Sequence, residues 1–154
     1  GKTRTESVKN ALAALPEDVR IVAVHDAARP LITAEALIAC VGECRRYGGA
    51  VSAHRVSDTV KETDENGIVT RTVPREGLWA VQTPQVFERD LYMFALENAG
   101  ENSLEFTDDC ALIENMGGEV LVVKGSEENI KLTTPVDVIL AESILKNRLK
   151  NGNC

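Results

Sequence analysis

In residues 4–15, RTESVKNALAAL, the apolar positions Val8, Leu12 and Leu15 fall at helical spacing and stop at Pro16, which predicts an α-helix. The rhythm then shifts: residues 20–24 are a short β-branched run and predict a buried strand. Across 31–46, Ile32, Leu37, Ile38 and Val41 restore a helical pattern that ends at the glycine stop Gly48-Gly49. Residues 50–56 predict a second strand, 88–98 a helix carrying Leu91, Phe94, Ala95 and Leu96, and 119–123 a further strand. Between them, 107–115 predict a helix that ends at Gly117-Gly118. Residues 134–149 predict a last amphipathic helix, with Thr134 as N-cap and Pro135 in its first position. Strands alternating with helices predict an α/β fold around a largely parallel sheet.

One segment breaks the alternation. Residues 57–77, SDTVKETDENGIVTRTVPREG, have β-rich halves around Asn66-Gly67, a strong hairpin signal. Most positions in both halves are polar, so neither face could bury well in the chain's own core, and such a hairpin is marginal alone. It is either a flexible insertion or an arm held by a second subunit. The frequency of Thr and Val favours the arm.

Composition narrows the class. The chain has 154 residues, 44% hydrophobic and 27% charged, enough for one domain with a core that is mostly aliphatic because aromatics are 4%. No apolar stretch approaches the length of a membrane span, and the residues show no signal-peptide pattern. A net charge of −7 argues against nucleic acid or an anionic membrane as partner, but not against a small anion met by locally gathered cations. Cys40, Cys44, Cys110 and Cys154 lack zinc spacing and suggest no disulfide framework, so reduced thiols in a cytoplasmic protein are expected.

In open α/β sheets, ligands bind beyond the carboxyl ends of the strands. HDAARP (25–30), QTPQ (82–85, after the strand-like Trp79-Ala80-Val81), FTDD (106–109) and NIKLTTP (129–135) all occupy such places in the predicted order. Asp26 and Arg29 could be a local ion pair at a turn, and His25 is read as a satisfied core histidine. Thr107-Asp108-Asp109 serves equally as a helix start, with Thr as cap and acids against the dipole. Lys131 lies between Ile130 and Leu132, and Arg75 in a Pro-Arg-Glu-Gly turn. Together, Arg29, Arg75 and Lys131 are cations beside Thr59, Thr83 and Thr107, a combination suited to phosphate and sugar hydroxyls.

RTESVKNAL, VHDAARPL, SDTVKET, REGLWAVQTPQVF, FTDD and NIKLTTPVD, in this order and spacing, resemble the 2-C-methyl-D-erythritol 4-phosphate cytidylyltransferases from Arg4 to about Leu145. The ribitol 5-phosphate cytidylyltransferases share some of these motifs, but Ala28 and Gly77-Leu78-Trp79 match the methylerythritol group. The resemblance implies a Rossmann-like, three-layer nucleotidyltransferase fold with a mostly parallel sheet and a protruding arm. It implies transfer of a cytidylyl group from CTP to methylerythritol phosphate, with Mg²⁺ carried mainly by the CTP phosphates and no metal held by protein residues. Lys131 would neutralise phosphates at the reacting centre. Asp26, Arg29 and Thr107 would hold the acceptor's hydroxyls. Arg75 and Thr59, with Thr83, would reach the acceptor phosphate in the neighbouring subunit's site, so the 57–77 arm would join a homodimer. Ser7 and Gly1 would lie near the cytosine.

Nothing in the chain matches the family's opening strand and glycine-rich loop, and the sequence starts without Met inside the next motif. The expectation is a single cytidylyltransferase domain, 1–154, lacking its N-terminal strands and nucleotide-binding loop, and inactive alone although its parent is an enzyme. Other expectations kept open are a non-catalytic dimerisation or acceptor-binding module and a sugar-phosphate cytidylyltransferase with another acceptor. The short polar ending predicts the monofunctional form.

Overall fold

The computed structural model describes residues 1–99 and 108–151. In chain order the elements are α1 (Arg4–Ala13), β1 (Ile21–Val24), α2 (Ala34–Tyr47), β2 (Gly49–Arg55), β3 (Val60–Thr63), β4 (Val69–Val73), β5 (Trp79–Glu88), α3 (Arg89–Asn98), α4 (Cys110–Glu114), β6 (Leu121–Lys124) and α5 (Pro135–Lys150). The helix boundaries follow their capping chemistry. Thr33 Oγ1 accepts the Ala36 N–H at 3.3 Å, so α2 begins three residues later than its apolar pattern does. It ends at Gly48, whose φ of 82° is a left-handed stop that glycine reaches without strain. At α5, Thr134 Oγ1 accepts the Asp137 N–H while the Asp137 carboxylate accepts the Thr134 N–H at 2.7 Å, a reciprocal capping box ahead of Pro135.

The central sheet has the order β1-β5-β2-β6. β5 pairs antiparallel with both β1 and β2, and β2 pairs parallel with β6. The sheet is therefore mixed: β1, β2 and β6 share one direction and β5 opposes them. This changes the place of QTPQ. It does not follow a strand but lies inside β5, which runs on to Glu88. Val51 is opposite Gln85 and Ala53 opposite Val81, so residues 82–84 bulge against the single residue Ser52. The Thr83-Pro84 bond there is cis.

Side chains alternate across the sheet and feed two cores. Val22, Val51 and Phe87 join Leu12, Tyr92, Leu96 and Ile113 on one face. Val86 and Ala50, their immediate neighbours in sequence, join Cys40 and Cys44 of α2 on the other. Helices thus cover both faces and the architecture is three-layered. Phe87 and Tyr92 stack with centroids 4.7 Å apart, so the scarce aromatics sit at the centre. Cys40 and Cys44 are free thiols, and burial pushes both up to about 11.

β3 and β4 form a separate two-stranded ribbon between β2 and β5. The Gly67 N–H donates to Asp64 O at 3.1 Å and the Asp64 N–H to Ile68 O at 3.0 Å, with Gly67 at φ 80°. This is a type I turn closed by a glycine bulge, so Asn66-Gly67 does mark the hairpin, with a three-residue loop. Every residue from Lys61 to Thr72 is exposed.

Candidate functional site

The carboxyl ends of β1, β2 and β6 open on one rim of the sheet, as does the amino half of β5. Past the end of β1, the Arg29 N–H donates to Asp26 O at 2.9 Å and closes a tight turn over 26–29. The turn is pinned to β5, since the Asp26 N–H donates to Thr83 Oγ1 at 3.0 Å. Past β6, the loop leading to α5 returns over the same turn, and the Leu132 N–H donates to Ala28 O at 2.8 Å. Lys131 is thereby brought to the Asp26 carboxylate, with Nζ 3.0 Å from Oδ2. Arg29 Nε reaches the same oxygen at 3.4 Å.

One carboxylate between two cations leaves a surplus positive charge at a half-open rim, an arrangement that attracts an anion. Burial alone would raise the Asp26 pKa. The hydrogen bond and charge of Lys131, then the charge and hydrogen bond of Arg29, outweigh it and hold the carboxyl below the usual range. Both cations meet its Oδ2 oxygen. Among the described residues no group of three or more His, Cys, Asp or Glu could hold a metal, so these residues do not fit a protein-caged Mg²⁺.

Asp26, Arg29, Thr83 and Lys131 are thus gathered into one cluster from segments over a hundred residues apart. Arg75 and Thr59 are not part of it. They flank the base of the hairpin and are exposed, with the Arg75 guanidinium donating to Ser57 O. That base is braced by the Arg55 guanidinium 4.2 Å over the Trp79 ring and by the Val56 N–H on Leu78 O. Gly1 and Ser7 form a second group at the start of α1. A Cβ on Gly1 would stand 2.5 Å from Ser7 N, so only glycine fits this approach. Thr107 lies outside the described residues. Asp108 and Asp109 are described, and Asp109 rather than Thr107 holds the N-cap position of α4. His25 is exposed rather than a core residue, yet both ring nitrogens are engaged, by Thr83 Oγ1 at 2.9 Å and Arg29 O at 3.0 Å.

Sequence reasoning missed the amides beneath the cluster. Asn129 and Gln82 are 3% and 4% exposed and bond to each other, with Asn129 Nδ2 also donating to Thr83 O at 2.8 Å. Gln85 Oε1 accepts the Asp109 N–H at 3.0 Å and so anchors the start of α4 to β5. Gly125 makes room for them: a Cβ there would lie 2.3 Å from Ser52 Oγ and 3.0 Å from Gln82 Oε1. The available signal was limited to Gln85, flanked by Pro84 and Val86, which must find hydrogen-bond partners if it is buried; Asn129 stands between Glu128 and Ile130, and Gln82 between Val81 and Thr83. A cavity of about 830 Å³ lies beside the stems of the two loops, lined by Pro30, Thr33, Ser126, Glu128 and Arg148, and contains none of the clustered residues.

Comparison with known proteins gives the family. The model of "IspD: 2-C-methyl-D-erythritol 4-phosphate cytidylyltransferase" matches residues 1–147. The 2-C-methyl-D-erythritol 4-phosphate cytidylyltransferase of Desulforamulus reducens is 47% identical over 96% of this chain and 63% of its own length. That of Pelotomaculum thermopropionicum is 47% identical over 96% and 62%. The chain therefore spans less than two thirds of these relatives. Among solved structures, the 4-diphosphocytidyl-2C-methyl-D-erythritolsynthase of Anaerococcus prevotii superposes with a TM-score of 0.86 at 32% identity, covering 95% of this chain and 68% of that one. The Thermus thermophilus cytidylyltransferase follows at 0.83 and 35%, covering 95% and 71%. A rim cluster built from the family's motifs, matched over nearly the whole chain in sequence and in fold, means that this chain belongs to the IspD family of 2-C-methyl-D-erythritol 4-phosphate cytidylyltransferases.

Proposed function

We propose that the protein transfers a cytidylyl group from CTP to 2-C-methyl-D-erythritol 4-phosphate in non-mevalonate isoprenoid precursor synthesis. A phosphate oxygen of the acceptor attacks the α-phosphorus of CTP, the bond to pyrophosphate breaks, and a CDP-alcohol forms. The demand on the protein is to bring two polyanions together and stabilise charge at the α-phosphate. The observation that carries the reading is the cluster of Lys131 and Arg29 around Asp26, whose surplus positive charge opens on the ligand-binding rim. In this reading Lys131 neutralises phosphate at the reacting centre. Asp26 and Arg29 hold the acceptor's polar end, and Thr83 and Thr107 add hydroxyl contacts. Magnesium, where used, arrives on the triphosphate, consistent with a site whose carboxylate is already engaged.

The same proposal assigns residues 57–77 to dimerisation, with Arg75 and Thr59 of one subunit completing the acceptor site of the other. Support comes from a ribbon that pairs with no other strand among the described residues, and from the exposure of Ile68 and Val69 at 65% and 54%. Gly1 and Ser7, packed against each other, are assigned to the cytosine. The free thiols fit a cytoplasmic enzyme. The test is to incubate the full-length enzyme with CTP and either methylerythritol phosphate or ribitol 5-phosphate, following products by phosphorus NMR; the 154-residue chain by itself is expected to be inactive. Formation of CDP-methylerythritol and pyrophosphate is expected. Preference for the ribitol substrate, or no CDP-alcohol from a folded dimer, would sink the reading.

A further inference from the structure

Two buried amides, Asn129 and Gln82, lie under the charged cluster. The Asn129 side chain donates to Thr83 O at 2.8 Å and to Gln82 Oε1 at 3.3 Å. Gln82 Nε2 donates to Ser126 O at 3.0 Å and to Asn129 O at 3.3 Å, and Ser52 Oγ donates to Gln82 Oε1 at 3.4 Å. Asn129 O also accepts Arg29 Nη1 at 2.8 Å. These bonds tie three separate segments together: the bulge of β5, the turn after β1 and the loop after β6. Orientation of the Asn129 amide is determined by its partners. Thr83 O and Gln82 Oε1 are both acceptors in these bonds, so the NH₂ must face them, and the buried Oδ1 accepts no hydrogen bond from the described residues.

We propose that Asn129, braced by Gln82, is a positioning residue: its amide clamps the loop carrying Lys131 onto β5, and so sets Lys131 and Arg29 relative to Asp26 and Thr83. Neither amide touches the reacting groups. Lys131 is two residues from the clamp, Ile130 between them is partly buried, and Leu132 is tied back to Ala28 O at 2.8 Å. Arg29 is held through the carbonyl of Asn129 itself. The clamp therefore acts on both cations of the cluster at once.

The first test does not depend on the reaction. In Asn129→Asp the shape is kept, but the donors to Thr83 O and Gln82 Oε1 are replaced by an acceptor. Native-state hydrogen exchange should show the Leu132 amide losing about tenfold or more in protection, while Val22 and Val86 in the sheet keep theirs. Gln82→Glu, which keeps its acceptor contacts and loses its donors, should do the same if Asn129→Asp fails to fold. Unchanged protection at Leu132, or a uniform loss at every amide, overturns the clamp.

The kinetic test rests on the cytidylyl-transfer reading. At saturating substrates, either variant should lower kcat by about tenfold or more, leaving the CTP KM within about twofold. In a Lys131→Ala background it should cost little further, because a residue acting through Lys131 has nothing left to position. Fully additive losses overturn the positioning role. If the full-length wild-type enzyme makes no CDP-alcohol, the functional reading fails while the exchange result still decides the clamp.

Discussion

Lys131→Ala removes an ammonium 3.0 Å from Asp26 Oδ2, and its effects on stability and on turnover should separate by magnitude. Two unit charges at that distance attract by about 1.4 kcal/mol in water. The Lys131 side chain is 48% exposed, and ordering a lysine costs up to about 2 kcal/mol of rotamer freedom. The net contribution to folding is therefore about 0–1 kcal/mol, a melting shift of at most about 4 °C for a chain this size. Asp26 is not stranded, because Arg29 stays at 3.4 Å. In the proposed role, at the reacting centre, the same charge works on a developing anion. Removing one preorganised stabilising group there costs roughly 2.7–4 kcal/mol, or about 100- to 1,000-fold in kcat. The assay is pyrophosphate release at saturating CTP and acceptor, run beside calorimetry. A kcat within about threefold of wild type would refute the role. A melting point lowered by much more than about 4 °C would refute the claim that exposure makes the pair weak.

Arg75→Ala should raise the KM for the acceptor by about tenfold with little change for CTP, as measured by initial rates over both substrates; a CTP effect instead would remove Arg75 from the acceptor phosphate. Gly125→Ala should lower the melting temperature, because its Cβ would meet Ser52 Oγ at 2.3 Å and disturb the Gln82 contacts; overpacking of this kind costs roughly 1–3 kcal/mol. Asp137 is held below the usual carboxyl range by the Thr133 and Thr134 backbone N–H groups, then by the Thr134 hydroxyl. With the folded pKa depressed, its contribution is complete above the unfolded value of about 3.9 and is lost as pH falls through the lower folded one. Asp137→Asn should therefore flatten part of the acid limb of stability, read by circular dichroism melts at falling pH. An acid limb identical to wild type would mean the capping box is not what depresses it.

Several elements were legible because their signals are local. The N-cap at Thr134, the glycine stop at Gly48 and the polar hairpin each rest on residues close to the feature they control. The direction of β5 was not legible, because an apolar run reads the same whichever way the strand enters the sheet. That is why QTPQ looked like a strand terminus when it is a bulge inside one. Asp26, Arg29, Thr83 and Lys131 were identifiable as chemistry-bearing residues at predicted loop positions, and the fold does gather them. Their support was not, since Asn129 and Gln82 have the composition of surface residues and only tertiary burial shows what they hold. His25 went the other way: its ring nitrogens are satisfied as expected, but it is exposed rather than part of the core.

β2 and β5 are antiparallel neighbours, so the shortest chain that could join them is a tight turn. The ribbon of β3 and β4 is an outward extension of that connection, and it touches the sheet register only through its braced base. Each residue pair added to or removed from both of its strands changes its reach by about 7 Å, while inside and outside positions along the main sheet stay as they are. Arm length is thus a ruler that can be changed independently of the central sheet. If the arm joins two subunits as proposed, proteins with the same rim cluster and ribbons of different length would differ in how those subunits are spaced.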